Sequence, residues 1–159
     1  MSPRLRAAGI VAAVVVLDRI TKLYIQTAFS PVDIVAVIPG FFNIVHAENP
    51  GAAFSLLATV SEEWRRPALV GFSTVVAGII GVMLFRPRTT ETILTQTGLA
   101  LVLGGALGNL WDRAARGTVT DFLQFFFGTY EYPSFNAADS AICIGAGLLI
   151  LDLLLSRKR

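Results

Sequence analysis

The sequence predicts an integral membrane protein that is mostly α-helical, a bundle of four transmembrane helices with a small β-sheet outside the bilayer. Three observations carry this. Charged residues make up only 15% of the 159 positions and apolar ones 54%, against about 25% charged in a soluble domain, and the mean hydropathy is +0.66. Four apolar runs, Ala7–Ile25, Pro67–Phe85, Thr92–Leu110 and Ala137–Leu155, are each about 19 residues long; at ~1.5 Å per residue each nearly spans a ~30 Å hydrocarbon core. Segments this apolar satisfy their backbone groups in lipid only as helices.

The bulk numbers exclude several classes. The chain is long enough for one domain, 1–159, and little more. A net charge of +2, without basic residues interleaved with aromatics, gives no nucleic-acid footprint. A single cysteine, Cys143, excludes an intrachain disulfide and reads as a small apolar residue, buried or facing lipid. A single histidine, His46, excludes a His-rich metal site; neither metal nor cofactor is expected.

The first run resembles a signal peptide, with Arg4 and Arg6 ahead of Ala7–Leu17. However, Asp18, Arg19 and Lys22 follow it and no small-x-small cleavage site appears, so an uncleaved helix is expected. Asp18 and Lys22 are four apart, acid first, the favourable order for a helical ion pair. The pair either anchors a site or is structural near the interface, with Lys22 snorkelling outward. Segment 30–48 is rich in β-branched and aromatic residues around Pro39-Gly40, which reads as a turn; its sheet could lie apolar face down on the membrane. Asn49-Pro50-Gly51 forms a tight turn, and Ser61-Glu62-Glu63-Trp64 reads as a short helix start. Gly104 and Gly108 form a G-x-x-x-G pair that lets another helix approach. Gly105, Asn109 and Arg113 fall on one helical stripe, a ladder able to bind peptide. Asp112 and Arg116 read as an i, i+4 structural pair.

Arginine and lysine set the orientation. Arg4, Arg6, Arg86, Arg88, Arg157, Lys158 and Arg159 share one side, against Arg65, Arg66, Arg113 and Arg116 on the other, the latter expected close to acids. Both termini are therefore expected in the cytoplasm, with segments 26–66 and 111–136 extracytoplasmic.

Two carboxylates then stand out. Asp121 lies in V-T-D-F past the third run, and Asp139 opens the fourth. By itself Asp139 is explained as a first-turn acid behind the N-cap Asn136. If the two converge, one proton is shared between them and they titrate as a unit. The ionised partner can take a proton from water while the other donates to a leaving amine. The chain has no G-x-S-x-G elbow that would supply a nucleophile instead.

Asp18–Lys22 (DRITK), Asn49–Phe54 (NPGAAF), Gly104–Arg113 (GGALGNLWDR), Val119–Phe122 (VTDF) and Phe135–Asp139 (FNAAD) occur in one order. In these five motifs, over nearly its whole length, the chain resembles the bacterial lipoprotein signal peptidases (signal peptidase II), a family of membrane aspartic peptidases. The resemblance implies a catalytic pair at Asp121 and Asp139. It implies substrate contacts at Asn49, Gly105, Asn109, Arg113 and Asn136; Asp18, Lys22 and Asp112, read above as ion-pair residues, are expected to be structural or supporting. It also implies an extracytoplasmic β-cradle and a short periplasmic helix. The implied activity removes signal peptides from diacylglyceryl-modified prolipoproteins, just before the lipidated cysteine, in the bacterial inner membrane. Globomycin is the implied inhibitor, membrane lipid the surrounding partner, and a monomer is expected. The alternative is a proton-coupled transporter with intramembrane carboxylates, which calls for inverted repeats that the sequence lacks. An assembly protein using the G-x-x-x-G face would leave both aspartates without a role, and presenilin-type Y-D and G-x-G-D patterns are absent.

Overall fold

A computed structural model of the chain describes residues 2–51, 61–86 and 92–156. Within these, four long helices carry one antiparallel sheet at one end. The elements are α1 (Pro3–Ala28), β1 (Ile34–Ile38), β2 (Phe42–Asn49), α2 (Glu62–Phe85), α3 (Ile93–Arg116), β3 (Val119–Phe127), β4 (Tyr130–Phe135) and α4 (Ala137–Ser156). The sheet order is β1-β2-β3-β4.

Local chemistry sets the helix ends. Ser2 Oγ accepts from Leu5 N at 3.3 Å ahead of Pro3, and Thr92 Oγ1 accepts from Thr95 N at 3.0 Å; both are side-chain N-caps. Helix α3 stops at Gly117, whose φ of +82° is a left-handed C-cap, with Arg113 and Arg116 in its last turn facing the negative end of the helix dipole. It therefore runs six residues past Leu110, where the apolar run ends, because a helix need not stop where it leaves the apolar zone. Likewise Glu62–Trp64 is no separate element but the first turn of α2.

Helices α2, α3 and α4 are long and apolar enough to cross a membrane. Helix α1 carries Asp18, Arg19 and Lys22 in its second half, which lowers its average hydropathy. Asp18 and Lys22 are nevertheless fully buried, while Leu17, Ile20, Leu23 and Tyr24 face outward. Lys22 thus points into the bundle and does not snorkel. Exposed apolar side chains also cover α2 (Phe72, Val75, Ile79) and α4 (Ile150, Leu151, Leu153), the surface expected in contact with acyl chains.

Helix α3 is the hub, packing on the other three. Gly104 and Gly108 face α1: a Cβ added at Gly104 would lie 2.7 Å from Val14 Cβ, and one at Gly108 2.5 Å from Asp18 Oδ2. Gly98 of α3 and Gly145 of α4 likewise bring those two backbones together. Such small-residue seams allow dispersion contacts between helices in lipid. A cluster of Ala7, Ala77, Leu84, Leu99, Ala100 and Leu103 fills the space among α1, α2 and α3. At the end away from the sheet, Arg6 donates to Gln96 Oε1 at 2.7 Å, and Thr92 and Thr95 donate to Asp152 Oδ2 at 2.9 and 2.6 Å.

The β1–β2 hairpin turns at Pro39-Gly40, with Gly40 at φ +74°. Strands β3 and β4, joined at Gly128, double the sheet beyond what residues 30–48 gave. The β2–β3 register sets Ala47 opposite Asp121 and Asn49 opposite Val119. No separate short helix occurs among the described residues; residues 52–60 and 87–91 lie outside them.

One ion-pair expectation is corrected. Asp112 does not pair with Arg116: it takes Arg19 and Lys22, while Arg116 donates to Glu48 Oε1 at 3.1 Å. Arg66 donates to the Ala114 carbonyl at 2.6 Å and shares a pocket with Glu63 and Arg65.

Candidate active site

The site forms where β2, β3, the end of α3 and the start of α4 meet. Asp121 leaves β3 as a buried carboxylate. Its Oδ2 accepts from Asn49 Nδ2 at 2.9 Å and its Oδ1 from Asn136 Nδ2 at 2.7 Å. Gly51 N donates to Asn49 Oδ1 at 2.9 Å, which fixes the Asn49 amide with its NH2 toward Asp121. Asp139 lies in the first turn of α4. It and Asn136 form a reciprocal cap: Asp139 N donates to Asn136 Oδ1 at 3.0 Å, and Asn136 N to Asp139 Oδ2 at 3.2 Å. Asp139 Oδ1 also accepts from Asn109 Nδ2 at 2.7 Å. One fully buried residue, Asn136, therefore touches both carboxyl groups, and its Nδ2 also reaches Asn109 Oδ1 at 3.2 Å.

Behind the pair lies a charged cluster. Lys22 Nζ is 2.9 Å from Asn109 Oδ1, 2.8 Å from Asp18 Oδ2 and 2.9 Å from Asp112 Oδ2. Asp112 also pairs with Arg19, whose guanidinium lies 5.8 Å over the Trp111 ring. Asp18 Oδ1 accepts from Ala138 N at 3.0 Å, tying α1 to the first turn of α4. Arg113 reaches Ser73 of α2 at 3.5 Å, and its charge acts on Asp139, Asp121 and Asp112.

Burial pushes the Asp121 carboxyl up to about 6, and the Asp139 charge adds to the rise. Hydrogen bonds from Asn49 and Asn136 and the charge of Lys22 oppose it. Burial would also raise Glu48 of β2, but Thr118, His46, Thr120 and Arg116 outweigh that and hold it below the usual carboxylate range. His46 bridges the Phe29 carbonyl, 2.8 Å from Nδ1, and Glu48, 3.0 Å from Nε2. This hub ties the end of α1 to the strand that carries Asn49.

The arrangement brings together Asn49, Asn109, Asn136, Asp121 and Asp139, with Arg113 beside them and Asp18, Lys22 and Asp112 behind. Gly105 parts from the ladder it shares with Asn109 and Arg113. It is buried against the Ala138 carbonyl and Ile142 of α4, so a side chain there would drive α3 and α4 apart. Sequence reasoning missed Arg19, Ser73, Glu48 and an apolar cleft of about 460 Å³ beside Asp139. Phe41, Phe125, Phe127, Tyr132 and Phe135 line the cleft on the sheet side, and Ser140 and Cys143 on α4. The period-two spacing of Phe125 and Phe127 signalled one aromatic strand face.

Known proteins share this arrangement of elements. A family model described as signal peptidase (SPase) II matches residues 10–155. The lipoprotein signal peptidase of Solibacter usitatus is 43% identical over 156 residues, covering 98% of this chain and 94% of its own. That of Maridesulfovibrio salexigens is 43% identical over 146 residues, 91% and 93% of the two chains. A bacterial membrane enzyme solved by the in meso method at 2.3 Å resolution superposes with a TM-score of 0.77 at 32% identity, covering 96% of this chain and 89% of that one. None of these favours the transporter reading. By the family match and these identities, the chain belongs to the signal peptidase II family.

Proposed function

We propose that this protein is a membrane aspartic endopeptidase that removes signal peptides from diacylglyceryl-modified prolipoproteins, cutting just before the lipidated cysteine. The observation that carries it is the joining of Asp121 and Asp139 through Asn136 and neutral amides. A water held between the carboxyl groups loses a proton to the ionised one as its oxygen attacks the scissile carbonyl. The protonated one donates to the departing amide nitrogen. Asn49, Asn109 and Asn136 orient the acids and bond the substrate backbone, and Arg113 offers its guanidinium to a peptide carbonyl. Gly105 acts indirectly, by letting Ala138 and Asp139 come close to Asn109.

The four helices cross the bacterial inner membrane as one domain, α1 included, because its charges face inward. Both termini lie in the cytoplasm and the site near the extracytoplasmic face, where a signal peptide leaves the bilayer. The enzyme acts as a monomer surrounded by lipid and is inhibited by globomycin.

The test is cleavage by the purified protein of a lipidated and an unlipidated prolipoprotein, with the new N-terminus sequenced. The expected outcome is globomycin-sensitive cleavage of the lipidated form, with product beginning at the modified cysteine. Cleavage elsewhere, or equal cleavage of the unlipidated form, would count against it.

A further inference from the structure

Resting on the membrane orientation proposed above, we infer that a pocket between the outer ends of α2 and α3 holds the phosphate of an anionic glycerophospholipid, whose acyl chains lie along α2. The charge distribution points there. Lysine and arginine gather on the cytoplasmic side of membrane proteins. In that orientation this chain nevertheless keeps Arg65, Arg66, Arg113 and Arg116 on the other side. Arg113 belongs to the active site. The other three line one pocket of about 340 Å³, and among the described residues its lining holds a single acid, Glu63. The pocket shares no residue with the active site or the aromatic cleft.

The fold holds these guanidiniums together. Arg66 crosses to α3 and donates to the Ala114 carbonyl at 2.6 Å. A Cβ at Gly117 would lie 3.4 Å from Arg66 Cδ, so the missing side chain leaves room for the arginine stem. Arg116 is tied from the sheet side, donating to Glu48 Oε1 at 3.1 Å. Each of these bonds uses one N–H of the five that a guanidinium carries. The planar fork of an arginine suits the oxygens of a phosphate. The first turn of α2 adds the positive end of its dipole.

The surface below the pocket selects a lipid over a soluble anion or an acidic peptide. Arg65, Ala68, Phe72, Val75, Ile79 and Val82 recur every three or four residues, so they share one face of α2. Phe72, Val75, Ile79 and Val82 are all more than half exposed. From Arg65 to Val82 the stripe runs ~25 Å, beyond the ~15 Å that half of a ~30 Å hydrocarbon core requires. Trp64, exposed beside Arg65, is a residue type that settles at headgroup depth. A cationic pocket at the head of an apolar stripe matches an anionic amphiphile from end to end. A soluble anion would use the pocket alone, and an acidic peptide would leave the stripe uncovered.

The test is photo-crosslinking in phosphatidylcholine nanodiscs that carry a trace of phosphatidylglycerol or phosphatidylcholine with a diazirine in one acyl chain. The expected result is labelling of residues 72–82 about fivefold stronger with the phosphatidylglycerol probe, the preference that one arginine near the surface gives. Arg65→Gln, with helical circular dichroism unchanged, should lose most of that preference. Equal labelling of the native protein by both probes, or a preference intact in the folded variant, overturns the inference. A second arm needs no variant. Millimolar inorganic phosphate or glycerophosphoglycerol should leave the preference of the native protein in place, and its erasure by either would assign the pocket to a soluble anion instead. If neither probe labels α2, the helix does not face lipid and the membrane placement itself fails; equal labelling by both sinks only the pocket.

Discussion

Two pairs of aspartates lie at the sheet end of the bundle, partnered in opposite ways. Asp18 and Asp112 meet cations: Lys22 lies within 2.9 Å of both, and Arg19 pairs with Asp112. Asp121 and Asp139 meet neutral amides, from Asn49, Asn109 and Asn136. A carboxylate packed against a buried cation is held by that ion pair. One held by amides keeps its place with no ion pair to a cation among the described residues. The cation-bound pair thus builds the wall and the amide-bound pair is left for chemistry, although all four are the same residue.

The largest effect that tests this contrast is on activity. Asp121→Asn and Asp139→Asn each remove a proton carrier and should lower cleavage of a diacylglyceryl prolipoprotein by ~10²–10⁴-fold. The helical circular dichroism should stay unchanged. Normal turnover by either variant would break the comparison at its functional half.

The structural half is tested at Lys22. Lys22→Met leaves Asp18 and Asp112 facing each other in a dry interior, and losing one partner of a buried pair costs ~3–5 kcal/mol. Thermal unfolding in detergent should show that loss, with partial recovery in Lys22→Met/Asp18→Asn. If unfolding is unaffected while cleavage fails, the cluster is no mere wall.

Much of this contrast was legible in the sequence, and what was not follows a pattern. Four helices were readable because length and apolarity are local properties. The Asp18–Lys22 pair was readable because four residues apart on a helix is a local contact. Arg116 was misassigned for the opposite reason: its acid, Glu48, is 68 positions away and reaches it only through the β2–β3 pairing. The extension of α3 through Arg116 was hidden because polarity changes where the helix leaves the apolar zone, while its hydrogen bonding does not. The aspartate pair emerged from motif resemblance, but its bridging through Asn136 depends on a helix cap packed against a strand. The cleft needs rings from β3, β4 and the β1–β2 turn, which no single stretch reveals.

A third test uses pH. The Asp121 carboxyl has its folded value raised to about 6 from 3.8, so the native state holds a proton that the unfolded chain releases. The stabilisation is therefore complete below pH 3.8 and is lost as pH rises through about 6, a change of at most ~3 kcal/mol. Over that window the native protein should lose thermal stability relative to Asp121→Asn. A constant difference between the two would mean that the Asp121 carboxyl titrates alike in the folded and unfolded chain.

The smallest expected effect falls on the residue that joins the two groups. Asn109 accepts from Lys22 and donates to Asp139. An ammonium can only donate, so Lys22 dictates which end of the amide faces it and thereby turns the NH2 toward the acid. Asn109→Ala cuts that link and leaves Lys22 its two carboxylates. Stability should fall by only ~1–2 kcal/mol. Cleavage should fall about tenfold, mainly in kcat, because Asp139 keeps its helix cap but loses the donor that aims it. Asn109→Asp sharpens the point. It keeps the acceptor for Lys22 but presents a second oxygen to Asp139, so a carboxylate repels the acid where an amide held it. Activity should drop further than in the alanine variant while the fold holds. If the aspartate variant instead cleaves as well as the native protein, orientation through Lys22 is irrelevant and the two groups work independently.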